Sequence, residues 1–87
     1  MKPFVIREEP GFGHATSIMR VSGFSVEEMK ELSKLPVMKM EERVLEMINQ
    51  RNNGIGTCWH NGNGVYRVYI SQMCPDSVFV EIGKSCD

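Results

Sequence analysis

Apolar and polar positions change their period twice along the chain. Near the start they favour alternation, the signature of a half-buried strand. Residues 3–8 hold Phe4, Val5 and Ile6 and predict a first strand. Glu9-Pro10-Gly11-Phe12-Gly13 follows as turn chemistry, because proline fixes φ and glycine admits positive φ. Residues 15–21 predict a second strand, with Met19 and Val21 on one face and Ile18 and Arg20 on the other. The two form a hairpin with a loose loop.

From residue 25 the spacing becomes helical. Ser25-Val26-Glu27-Glu28 fits a capping box, in which the Ser25 hydroxyl accepts from the Glu28 amide and the Glu28 carboxylate accepts from the Ser25 amide. Phe24 stands where a hydrophobic staple onto Met29 is expected. Val26, Met29, Leu32 and Leu35 form one stripe, and Pro36 disfavours helical geometry at Leu35, so this helix is short. A second helix is expected over residues 39–52, with Met40, Val44, Leu45, Met47 and Ile48 on one half of the wheel. Asn53-Gly54 is its stop signal. Glu41 falls on the apolar half, where a first-turn acid favoured by the helix dipole is the simplest expectation and a buried functional carboxylate the alternative.

The last third returns to period two. Residues 55–60, 65–71 and 78–83 predict three strands, joined by Asn61-Gly62-Asn63-Gly64 and by Met73-Cys74-Pro75-Asp76-Ser77. The expected class is α+β, in the order β-β-α-α-β-β-β. It is a mostly antiparallel sheet with two helices on one face, formed by residues 1–87 as one domain.

The hairpin loop restricts which residues share a face. In each register it allows, Trp59 lies with Tyr66, Val68 and Ile70, while Cys58 and His60 lie with Val65, Arg67 and Tyr69. The first group is the apolar one and should face the helices. Val78, Val80 and Ile82 then point inward, and Phe79 and Glu81 outward. The face away from the helices therefore presents Cys58, His60, Arg67, Tyr69, Phe79 and Glu81. This mixture of aromatic, arginine and histidine side chains is closer to interface composition than to plain surface.

Charge and composition narrow the function classes. The formal net charge is −1, with mixed signs concentrated between residues 25 and 50. That disfavours a nucleic-acid binder relying on a basic field. The first residues contain no long apolar run and nothing approaches the ~20 residues that span a bilayer, so neither an export signal nor a membrane contact is expected. Three cysteines without dense spacing fit free thiols in the cytoplasm.

The attractive chemical sites fail on geometry. Cys58, His60, Cys74 and Cys86 carry zinc-binding atoms, but Cys74 and Cys86 flank a strand whose ends lie about 17 Å apart or more. Four ligands must approach one zinc ion within about 2.0–2.3 Å. The same separation argues against a Cys74–Cys86 disulfide. Cys58 and His60 sit two apart on one strand, their Cα atoms about 6–7 Å apart, with no third group to complete a thiol nucleophile. The glycine-rich loops do not open helices, so they do not make phosphate cradles.

What remains is a non-enzymatic binding module, with no cofactor and no metal. Its expected partner is a protein, and a small inhibitor or regulator falls within that class. The contact surface is the outer face with His60, Arg67, Tyr69, Phe79 and Glu81. A homo-oligomer through the same face is a version of this reading. The alternative is nucleic-acid binding, with bases stacked on Tyr69, Phe79 and His60 and phosphate on Arg67. A third, weaker alternative is an enzyme using His60 with Glu81 or Cys58.

Overall fold

A computed structural model describes residues 2–10, 15–55, 59 and 64–83, with backbone only at 15, 16 and 66. Its elements run β1 (Val5–Pro10), β2 (Ala15–Ser22), α1 (Val26–Ser33), α2 (Val37–Arg51), β3 (Val65–Ile70) and β4 (Ser77–Gly83). The fold is α+β. Four described strands form one sheet in the order β1-β2-β4-β3, and every neighbouring pair is antiparallel. The two helices pack on one face of it.

The helices begin and end where local chemistry directs. Ser25 and Glu28 form the reciprocal capping box, at 3.1 Å and 2.8 Å. Pro36, in extended geometry, separates α1 from α2. After α2, Asn53 and Gly54 both adopt positive φ, 57° and 79°, a conformation tolerated by asparagine and glycine but by few other residues.

The core lies between helices and sheet. Leu32 of α1 and Met40, Val44, Met47 and Ile48 of α2 meet Val21, Val68, Val78, Val80 and Ile82 of the strands. Met29, Leu35 and Leu45 are partly buried against this cluster. Val26, which the stripe placed with them, is exposed. It occupies the first position of α1, where the chain is only entering the helix.

Three expectations require correction. Residues 55–60 were expected to form a strand, yet Ile55 and Trp59 both have helical backbone; 56–58 and 60 lie outside the described residues. Trp59 is nonetheless in the core, where it is buried with Val68. The inward position thus stands, although the strand alternation used to reach it does not. Val65 was placed on the outer face, but it pairs with Ile82 and packs against the core. An irregularity between Val65 and Arg67 inserts one extra residue in β3, which reverses the alternation there.

Glu41 is the third correction. It lies beyond the first turn of α2, which contains no acidic residue. One of its carboxylate oxygens instead accepts the Val68 backbone N–H at 3.3 Å. Val68 belongs to β3, an edge strand, and its amide points away from β4. α2 thereby occupies part of an edge that would otherwise offer unpaired backbone groups.

Candidate functional site: the outer sheet face

The face opposite the helices is ordered by strand register. Antiparallel partners lie side by side on one face. One cross-strand row therefore reads Arg7, Arg20, Phe79, Tyr69, and the next reads Glu9, Ile18, Glu81, Arg67. Tyr69 and Phe79 are direct partners, with ring centroids 5.3 Å apart and planes at 32°. Arg67 and Glu81 are partners too, 3.4 Å between Nη2 and Oε2.

Four of the five residues expected at the site are thus brought together. Arg67 is exposed, Tyr69 and Phe79 are half-buried, and Glu81 is buried at 7% exposure. His60 lies outside the described residues, as do Cys58 and Cys86. Cys74 is a free, half-buried thiol. Among the described residues no three His, Cys, Asp or Glu side chains cluster as metal ligands.

The burial of Glu81 has local causes. Ile18, its neighbour on β2, is buried on the same face. Arg67 reaches the carboxylate from one side, and the Tyr69 hydroxyl hydrogen-bonds to it. Burial pushes the Tyr69 phenol above its ordinary pKa; the hydrogen bond to Glu81 and that carboxylate's charge push it the same way, against Arg67. A buried carboxylate is costly unless paired and hydrogen-bonded, and both conditions hold here.

Sequence alternation missed the contribution of β1 and β2. Arg20 contacts Glu9 at 2.5 Å, and its guanidinium lies over the Phe79 ring, 5.9 Å from the centroid. Arg67 lies over Tyr69 at 5.1 Å. The aromatic pair is therefore flanked by two arginines. The alternation of β2 already turned Arg20 away from the Met19 and Val21 face. Its juxtaposition with Phe79 required knowledge that β2 neighbours β4.

Beside the pair lies a concavity of about 600 Å³, bounded by Arg20, Tyr69, Phe79 and the segment after β3, including Ser71, Met73 and Cys74. That volume lies within the range of small-ligand and side-chain pockets. The Arg20 Nε atom is buried and has no hydrogen-bond partner among the described residues.

Comparisons with protein-family models, curated proteins and solved structures return no match to this chain. No helix among the described residues is long and apolar enough to cross a membrane.

Proposed function

We propose that this chain is a non-enzymatic binding module that engages a protein partner through the sheet face opposite its helices. The supporting observation is the Tyr69–Phe79 pair, flanked by Arg20 and Arg67 and lying outside the core cluster. Aromatic and arginine side chains are enriched at the energetic centres of protein interfaces. Holding Arg20, Phe79 and Tyr69 in one cross-strand row, with Arg67 in the next, reduces the ordering cost of binding. A small inhibitor or regulator of cytoplasmic location fits this mode, and so does self-association through the same face.

The alternative, base stacking on the same rings, has less support. Each ring already carries a guanidinium on one face, and the net charge is −1. The third reading, an enzyme using His60 with Glu81 or Cys58, draws its support from residue types alone.

The test is affinity capture from the native host with mass spectrometry, comparing the unaltered chain with Arg67→Ala. A protein recovered with the unaltered chain and depleted at least fivefold with the variant supports the reading. Recovery of nucleic acid, with retention falling steeply between 50 and 200 mM salt, roughly the range over which counterion release acts, favours the alternative.

A further inference from the structure

We propose that the concavity beside the aromatic pair receives an acidic residue and an adjacent large apolar residue from an extended segment of the protein partner. The carboxylate meets Arg20, and the apolar side chain fills the space between Tyr69, Phe79 and Met73. This rests on the protein-binding reading above and specifies the partner's chemistry.

Exposure and charge favour an anion at the Arg20 end. Arg20 lines the cavity and its side chain is 34% exposed, so its guanidinium can be reached from outside. Arg7 and Arg20 are direct cross-strand partners, an arrangement that disfavours two like charges. Glu9 forms an ion pair with Arg20, while Arg7 has no ion pair among the described residues. The Arg7–Arg20 pair therefore retains one positive charge next to the arginine that lines the cavity. An incoming carboxylate at the accessible part of the Arg20 guanidinium would offset the Arg7–Arg20 repulsion.

The rest of the cavity asks for an apolar group. Tyr69 and Phe79 form its wall, and Met73, 91% exposed, stands at its rim. A methionine so placed is a flexible apolar side chain able to close over an inserted group. The guanidinium groups over the rings favour edge and side contact by a side chain over intercalation of a base. A peptide supplies both groups from consecutive or alternate residues, matching the short distance from Arg20 to Phe79.

The test uses the full chain as bait in a random peptide display. The strongest peptides are then titrated by NMR against the unaltered chain, Arg20→Gln and Met73→Asp. Met73 is exposed, so its substitution tests the pocket without disturbing the core. The expected result is enrichment of peptides with Asp or Glu beside Leu, Phe or Trp, and amide shifts at Arg20, Phe79 and residues 69–74. Affinity should fall at least tenfold in each variant. Peptides lacking an acid, or insensitive to both variants but weakened by Arg67→Ala, overturn this inference and leave the protein-binding reading standing. No enriched peptide, together with binding of a thymidine oligonucleotide at the same amides, overturns both. A dimer of the unaltered chain that Arg20→Gln dissociates would make the occupant a second copy and also overturn the proposal.

Discussion

The Asn52 side chain holds the Phe4 backbone by both of its polar groups. Its Oδ1 accepts the Phe4 N–H at 3.1 Å, and its Nδ2 donates to the Phe4 carbonyl oxygen at 3.1 Å. An amide side chain here substitutes for a neighbouring strand. It joins the end of α2 to the start of β1 across 48 positions of sequence. Phe4 itself stacks on Phe24 with centroids 4.3 Å apart, and Arg51 lies 4.4 Å over its ring.

Asn52→Ala should therefore destabilise the chain by about 1–3 kcal/mol, the cost of leaving partly buried backbone groups unpaired. Asn52→Asp keeps the acceptor but loses the donor, and should fall between the two. Urea denaturation midpoints measure this. Equal midpoints for all three proteins would mean that Asn52 does not secure β1.

Glu28 gives a pH dependence with a definite sign. Burial acts to raise its pKa, but the Ser25 amide and the Arg51 guanidinium together outweigh it, so the folded value lies below the ordinary one. A carboxylate lowered on folding stabilises fully above its unfolded value, about 4.3, and that stabilisation is lost as pH falls through the lower folded value. Glu28→Gln should lower stability at neutral and alkaline pH, where the ionised Glu28 contributes, and flatten the fall on the acid side, where that contribution is already being lost. Ser25→Ala, which removes the other half of the capping box, should cost about 0.5–2 kcal/mol at neutral pH.

Trp59→Ala should cost about 3–5 kcal/mol, as a large truncation in the core. Arg67→Ala, although its own side chain is exposed, removes the ion-pair partner of the buried Glu81 and should cost about 1–3 kcal/mol, less than the core truncation. Thermal melts of the two variants compare the faces directly. A harmless Trp59→Ala would place the core elsewhere.

Tyr69 departs from the behaviour expected of an outward residue. Its hydroxyl is one of the partners that keep Glu81 paired. Tyr69→Phe should destabilise by about 0.5–1.5 kcal/mol, the net range for one hydrogen bond, because Arg67 still pairs the carboxylate. Tyr69→Phe combined with Glu81→Gln should recover part of that loss, because the neutral amide is cheaper to bury. Recovery in this double-mutant comparison distinguishes charge burial from simple loss of packing.

Glu41→Ala should expose the Val68 amide. Hydrogen exchange at Val68 should accelerate several-fold, with a stability change of about 1 kcal/mol. Unchanged exchange at that amide would show that α2 does not protect the β3 edge.

The chain's sequence determined what depends on near neighbours. The capping box of Ser25 and Glu28, the break at Pro36 and the stop at Asn53-Gly54 each act within a few residues, so their residue types suffice. The inward set Val68, Ile70, Val78, Val80 and Ile82 was also legible, because alternation in a regular strand requires only which residues are apolar. Tertiary structure decided everything that depended on a distant partner. Val65 turned inward because one extra residue entered β3 against Ile82, and a register shift leaves no mark in the local pattern. Trp59 reached the core through helical backbone because burial of a large ring can be met by either backbone geometry. Arg20 joined Phe79 because β2 was placed beside β4, a choice of strand order that local hydrophobic period does not encode. Glu81 became buried for the same reason: its neighbours Ile18 and Arg67 come from two other strands, and only their assembly removes its carboxylate from water.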